Sequence, residues 1–423
     1  MTRRALVLGA DGFIGRYIIH HLRDAGWDVL ASARRVSRLE RMGFAVLQAD
    51  LADPATHDAA FWAPHLADGR AVVNAAGLLT GSEAAFRGVH VAAPRAAYAA
   101  RAAGAPALLL SAVGLEADTP FAHWRREGEA VAAEAGATIL RAGLVLGDTS
   151  YGGSSLARAL AALPVVTPVV GDGQQVFNPI HARDLSRVIA ACLDTPPPPG
   201  PQDIGGPERI TQAGLLGLLR GWMGLAPVPV LRIPLPMART LGRVGDLLRL
   251  GPVSLTAVTQ LARGVEADET ALTRQLGLAP DGVSRFATAR PAGTQDLWHA
   301  RLYLMRPVLR LTLAFLWLFS GLLGLFLPSA QFLPLVEGSP VPDAAWIAMA
   351  RLGGVADLVL VGLLLRNWRP RLTGIFQLGL VGAYTISFSF IAPELWFLPL
   401  GGLQKNLPIL ALILVWMVLE DER

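Results

Sequence analysis

Gly9, Gly12 and Gly15 stand three residues apart between a short apolar run, Ala5 to Leu8, and a helical stretch, Arg16 to Ala25. Glycines at such a turn let the backbone approach a pyrophosphate. The start of the following helix, at Phe13 and Ile14, offers N–H groups and the positive end of its dipole. The chemistry implied is dinucleotide binding. At the end of the next apolar run the chain reads Ala31-Ser32-Ala33-Arg34-Arg35. An acidic residue there would bind a ribose 2′-hydroxyl and repel a 2′-phosphate, whereas Arg accommodates the phosphate. NADP(H) is therefore expected over NAD(H). Two further groups could move protons: Ser111, ending a later apolar run, and His123, since His titrates near neutral pH. A strand-end hydrogen bond and an exposed helix position are the structural alternatives for these two. His181 and Asp184 read as a helix start, with Asp184 as N-cap. Cys192 is the single cysteine, so a disulfide framework or a cysteine-based metal site within one chain is excluded and no metal is expected.

These residues need a scaffold that brings loop ends together. Apolar runs recur at Ala5 to Leu8, Val29 to Ala33, Ala45 to Ala49, Ala71 to Asn74, Ala107 to Ser111 and Thr138 to Arg141, separated by Ala-rich helical stretches. This βαβ alternation predicts a Rossmann-type, doubly wound parallel sheet covered by helices, with ligands beyond the carboxyl ends of its strands. The run Pro196 to Pro201 predicts a stiff surface connection closing a domain over 1–200. Residues 201–295 read as a mostly helical substrate-side region, ending in a linker from Ala289 to Thr294.

The chain has 423 residues, and its 37 basic residues include one lysine, Lys405. Mean hydropathy is +0.43, too high for an ordinary soluble protein of this length. Net charge is +4, divided evenly at residue 298 and without a cationic stripe, so no nucleic-acid partner is expected. Arg3-Arg4 precedes only four apolar residues, too few for a secretory signal. From 302 to 423 the composition predicts a four-helix transmembrane bundle, with spans near 307–327, 345–365, 372–392 and 403–419. Arg301, Arg306 and Arg310, then Arg366, Arg369 and Arg371, then Arg423 fall on one side of these spans. The positive-inside rule makes that side cytoplasmic, with both termini, in a bacterial-type inner membrane. Within the spans, Asp357 is expected near Gln377, and Arg351 near Glu394 and Lys405; such groups mark function or structural pairing.

The N-terminal pattern resembles the extended and atypical branches of the short-chain dehydrogenase/reductase superfamily, epimerase/dehydratase-like, over residues 1 to about 290. Besides the glycine loop, the resemblance rests on Asp50-Leu51, on Asn74-Ala75-Ala76-Gly77, on Ser111, on Arg141-Ala142-Gly143-Leu144-Val145-Leu146-Gly147 and on Asn178-Pro179-Ile180-His181. Within the superfamily it is most similar to the group containing the NADPH-binding accessory subunit of respiratory complex I. The resemblance implies that Asp50 and Leu51 flank the adenine and that a Tyr-x-x-x-Lys pair transfers the proton. In this chain the pair falls on Phe121 and Arg125. Phenylalanine has no proton to give, and Arg can hold ribose hydroxyls but does not titrate near neutrality. No lysine exists in residues 1–298, and of the tyrosines there, Tyr17, Tyr98 and Tyr151, the first two are expected on outer helices. The tail, ending Leu398-Pro399-Leu400-Gly401-Gly402-Leu403-Gln404-Lys405-Asn406-Leu407-Pro408, resembles the DoxX-like membrane family, which implies a link to quinone redox modules. Two functions stay open: an oxidoreductase acting on a membrane-soluble quinone or lipid through Ser111, His123 and Arg125, or a cofactor-bound scaffold or redox sensor for a membrane protein complex.

Overall fold

Seven short strands build the central sheet: β1 (Arg4–Leu8), β2 (Asp28–Ala33), β3 (Ala45–Gln48), β4 (Ala71–Asn74), β5 (Ala107–Ala112), β6 (Thr138–Ala142) and β7 (Pro201–Ile204). The structure is a computed structural model, and it describes residues 3–250, 253–268, 270–398 and 402–421. Pro399, Leu400 and Gly401 of the tail motif, and Arg423, lie outside the described residues. The strand order is β7-β6-β5-β4-β1-β2-β3 and every pairing is parallel. The order reverses between β1 and β4, the switch point at which such sheets open a crevice.

Alternation along each strand assigns side chains to two cores. Ala5 and Val7 of β1 and Ala71 and Val73 of β4 face one cluster, while Leu6, Leu8 and Val72 face the other. Helices α1 (Phe13–Asp24) and α3 (Ala182–Asp194) cover the first face through Ile18, Leu22, Leu185 and Ile189. Helix α2 (Pro120–Glu134) contributes Val131 and Ala132 to the second. Helix α3 begins one turn earlier than expected: its N-cap is His181, whose ring Nδ1 accepts from the Arg183 N–H at 3.1 Å, and Asp184 lies in the first turn. The seventh strand starts on Pro201, inside the run expected to hold no regular structure. Proline is tolerated there because it is the first residue of an edge strand. The region after it also forms a short strand, Val230–Ile233, parallel to Thr167–Val170, and then helix α4 (Leu235–Leu247).

The described chain divides into two compact units. One runs to Arg243 and resumes after residue 252 as far as Leu297. The other takes the stretch from Val244 to residue 250 and everything from Trp298 onward. In the second unit, α5 (Met305–Phe326), α6 (Asp343–Leu365) and α7 (Pro370–Ile391) are long and apolar enough to cross a membrane. The fourth, α8 (Asn406–Leu419), has 14 residues and with the helical turn before it makes an apolar stretch of Leu403–Leu419, shorter than the other three. Helices α5 and α6 touch through glycines: a Cβ on Gly354 would lie 2.8 Å from the Gly321 carbonyl oxygen, and one on Gly324 would lie 2.9 Å from Gly354 Cα. Small residues at such a seam let backbones approach where lipid offers no hydrophobic drive. The polar side chains on these helices are hydrogen-bonded as follows. Ser320 Oγ donates to Asp357 Oδ2 at 2.5 Å, while Gln377 accepts from Trp317 Nε1 at 2.8 Å. Arg351 donates to the carbonyls of Gly324 and Leu327, at 2.8 and 2.9 Å, and so closes the end of α5. A helix end with free carbonyls draws a guanidinium as well as an acid does.

In the first unit, buried Asn178 holds the strand-side segment at Ala267 by accepting from its N–H at 2.9 Å and donating to its carbonyl at 2.8 Å. Asn178→Ala leaves both backbone groups unpaired, so we expect a loss of about 2 kcal/mol or more in stability. A thermal unfolding series on the detergent-solubilised protein checks it.

Candidate functional site

The glycine loop is shaped by contacts that exclude side chains. Gly9 has φ +76°, and a Cβ there would sit 2.8 Å from Ala76 Cα; a Cβ on Gly15 would sit 2.1 Å from the Gly9 carbonyl oxygen. The end of β1, the start of α1 and the turn after β4 therefore close on one another backbone to backbone. Gly12 is the N-cap of α1 with no side-chain cap, and the first turn carries no acidic residue. The amides of Phe13, Ile14 and Gly15 thus have no intrahelical acceptor and face the crevice end of the sheet, a cradle suited to an anion.

The other residues expected to bind are placed as follows. Arg34 and Arg35 follow β2 directly, both exposed, with no acidic residue between 29 and 39. Asp50 is exposed and its carboxylate accepts from the Ala52 N–H at 3.0 Å, while Leu51 is buried. Asn74 ends β4 fully buried; its Oδ1 accepts from the Ala76 N–H at 3.1 Å, and the Ala75 N–H donates to the Leu8 carbonyl at 3.1 Å. These bonds fold Ala75, Ala76 and Gly77 across the end of β1. The glycine loop and the β4 turn are thus one continuous wall.

Under that turn lies Arg125. It is 8% exposed, and its Nη1 donates to the Ala76 carbonyl at 3.2 Å. Its Nη2 would meet a Cβ on Gly77 at 2.8 Å, and its guanidinium carbon lies 5.9 Å from the Phe121 ring. Phe121 and Arg125 share a helix face because they are four residues apart. Burial lowers the Arg125 pKa to about 10, partly offset by nearby Glu129, so the group stays cationic at neutral pH. His90, buried beside it, is pushed down to about 3 by burial and then by the Arg125 charge; its imidazole is neutral, with Nε2 within 3.1 and 3.2 Å of the Leu78 N and O. Tyr98, expected on an outer helix, is 4% exposed inside the second core, and burial raises its phenol. Its helix is an outer one, but the side chain points at the sheet.

One residue that sequence spacing did not single out organises the rest. Glu129 of α2 is buried and accepts from Ser111 Oγ at 2.5 Å, from Arg141 Nε at 2.9 Å and from Arg141 Nη2 at 2.6 Å. Parallel pairing sets Ser111 opposite Arg141 on β5 and β6, so one carboxylate on the covering helix reaches both. A signal was present: Glu129 is four residues beyond Arg125, on the face that buries Ala122, Gly128 and Ala132. A carboxylate on a buried stripe demands a partner. From this cluster Arg141 borders a cleft of about 250 Å³, lined also by Gly114, Asp203 and Arg263. Burial raises the Asp203 carboxyl pKa, against the pull of Arg141. His123 is not brought to the cluster. It sits on the exposed side of α2 with its ring against Trp124, 5.1 Å between centroids, because two residues along a helix turn a side chain away from Arg125. Among the described residues no group of His, Cys, Asp or Glu could hold a metal ion.

Comparison with known proteins bears on the fold. Curated proteins give no match. Solved structures share the fold. UDP-glucuronic acid 4-epimerase from Bacillus cereus, in complex with UDP-glucuronic acid and NAD, is 15% identical, with a TM-score of 0.50 over 72% of this chain and 99% of its own. TunA, an NAD-dependent NDP-hexosamine 5,6-dehydratase involved in tunicamycin biosynthesis, is 21% identical, with a TM-score of 0.50 over 71% and 98%. Residues 5–105 match the NAD dependent epimerase/dehydratase family, and residues 314–414 match the DoxX-like family. The chain therefore joins an N-terminal epimerase/dehydratase-type dinucleotide fold to a C-terminal DoxX-like domain.

Proposed function

We propose that this protein is a membrane-anchored NADP(H)-binding scaffold or redox sensor. Its α/β unit holds the dinucleotide, and the proton-transfer groups usual for the fold are replaced by fixed structural contacts. The observation that carries this reading is the commitment of each candidate group. Ser111 is held on Glu129, Arg125 on the Ala76 carbonyl, and Phe121 has no hydroxyl.

The residues present fit a dinucleotide. The amides around Gly12, Phe13, Ile14 and Gly15 would hold the pyrophosphate, Arg34 and Arg35 the 2′-phosphate, and Asp50 and Leu51 the adenine side. Asn74, Ala75, Ala76, Gly77 and Arg125 border the other end. When bound, the nicotinamide supplies a hydride donor or acceptor. Among the described candidate residues there, Ser111, Phe121 and Arg125, none is a proton donor or acceptor poised near neutral pH. Arg125 contributes fixed positive charge, and Glu129 with Arg141 keeps Ser111 oriented.

The same reading places α5 to α7, completed by α8, in a bacterial-type inner membrane as a four-span bundle. The arginine-bearing ends, and with them both termini, face the cytoplasm. A protein complex in that membrane would be its partner. A second reading, an oxidoreductase acting on a quinone or lipid, is favoured by the DoxX-like match and by the cleft that Arg141 borders.

Two experiments test these statements. Arg34→Ala with Arg35→Ala weakens NADPH binding about 10- to 100-fold, as loss of roughly 1.5–3 kcal/mol of charge-assisted hydrogen bonding requires, and leaves NADH binding unchanged in a fluorescence titration. Equal weakening of both cofactors would remove the 2′-phosphate assignment. The wild-type protein binds NADPH but shows no oxidation of it with quinones or membrane lipid extract, and Phe121→Tyr with Arg125→Lys creates none. Turnover by the wild type would establish the oxidoreductase instead.

A further inference from the structure

Arg158, on the helix Gly153–Ala161, has a side chain only 3% exposed. A guanidinium placed so deeply must be held by acceptors. Its Nη2 donates to the Gly147 carbonyl at 2.6 Å and its Nη1 to Asp296 Oδ1 at 3.3 Å. Asp296 is buried too, and it lies two residues beyond the run Ala289 to Thr294 that the sequence marks as a linker. That run is instead fastened down. Asp296 also accepts from Arg290 Nη1 at 2.9 Å, from Arg290 Nη2 at 2.8 Å and from the Gly293 N–H at 2.8 Å. Arg290 Nη2 donates to the Asp148 carbonyl at 3.1 Å, and Trp222 Nε1 donates to the Arg290 carbonyl at 2.8 Å. Both guanidiniums lie over the Trp222 ring, 4.8 and 5.1 Å from its centroid. All these residues belong to the α/β unit, where residues 290–296 form a strap over the segment 147–149. The other side of that segment meets the glycine loop. A Cβ on Gly147 would lie 3.0 Å from the Phe13 ring and from the Tyr17 hydroxyl, and the Thr149 N–H donates to that hydroxyl at 3.2 Å. Phe13 opens α1.

We infer that Arg158 and Asp296 are positioning residues for the dinucleotide loop. The closed strap backs Gly147 against Phe13 and Tyr17 and so fixes the first turn of α1 for the pyrophosphate; a bound dinucleotide in turn holds the strap closed. Two physical features carry the coupling. The contact at Gly147 has no slack, and close-packed groups transmit displacement. Release of the strap is also all-or-none. Asp296 cannot leave without stranding the Arg158 guanidinium, whose buried Nε already has no hydrogen-bond partner, and an uncompensated buried charge is strongly unfavourable. By linkage, the strap strengthens dinucleotide binding by the same factor as the dinucleotide strengthens the strap. The inference rests on the reading of the glycine loop as a dinucleotide site. It gives a sensor its moving part, in the last residues before Trp298, where the chain of the second unit resumes.

The test is amide hydrogen exchange on the full detergent-solubilised chain, without nucleotide, with NADPH and with NADH. In the wild type, nucleotide slows exchange in residues 9–15 and also in 290–297, the latter by at least about 5-fold, the lower end of typical coupling between sites. Arg158→Gln keeps the protection of 9–15 and loses that of 290–297. Asp296→Asn weakens nucleotide binding by the factor through which nucleotide slows exchange at 290–297 in the wild type. Protection of 9–15 with unchanged exchange at 290–297 overturns the inference and leaves dinucleotide binding standing. Protection of 290–297 that survives Arg158→Gln also overturns it, since the nucleotide then touches the strap directly. So does Asp296→Asn with lowered thermal stability but intact affinity, because the strap is then structural alone. Should Arg158→Gln fail to fold, the wild type and Asp296→Asn decide the matter between them. No protection of 9–15 by either nucleotide defeats both readings.

Discussion

The constraint on which the functional half of this molecule depends is a contact between backbones. Gly9 lies against Ala76 and Gly15 against the Gly9 carbonyl, each too close for a Cβ. Three elements distant in sequence, β1, α1 and the turn after β4, meet there without intervening side chains. The first turn of α1 is left without a side-chain cap, a geometry suited to an anion. The side chains of the site are arranged around this contact. Asn74 secures the turn, and Arg125 fills the space beneath it.

Electrostatics then decides what the site can do. A guanidinium and a carboxylate inside an α/β core are costly unless paired and hydrogen-bonded. Glu129 satisfies this through Ser111 and Arg141 together, while Arg125 has a hydrogen bond to a backbone carbonyl, the charge of Glu129 nearby and a buried Nε without a partner. Removing one partner of such a network costs about 3–5 kcal/mol, because the other charge stays buried alone. Ser111, Glu129, Arg141 and Arg125 are therefore all under structural obligation here. A neutral His90 and a raised Tyr98 add no group poised near pH 7.

The second unit solves a different problem with small residues and local capping. Gly321, Gly324 and Gly354 bring α5 and α6 into backbone contact, and Trp317, Leu360, Val381 and Trp416 fill the core between the helices. Polar side chains bond across helices, Ser320 to Asp357 and Trp317 to Gln377, or to helix-end carbonyls, as Arg351 does. Counting depth along spans does not give these hydrogen-bond partners, because depth says nothing about which way each helix is rotated.

Much of the architecture was legible in the residues themselves. Six of the sheet strands coincide with apolar runs to within about a residue, because a parallel strand buried on both faces must be apolar throughout. The glycine spacing, the arginines after β2 and the Phe121 and Arg125 substitutions are likewise properties of residue type at a position. What sequence could not decide was direction and partnership. Pro201 opens an edge strand because only β6 needs to be bonded. Tyr98 turns inward from an outer helix, and His123 turns outward from the helix that carries Arg125. Glu129 joins Ser111 to Arg141 across 18 and 12 residues of chain. Residue type and periodicity follow from local chemistry along the chain. Which buried polar group meets which depends on strand order and on helix rotation, and these exist only once the whole fold has closed.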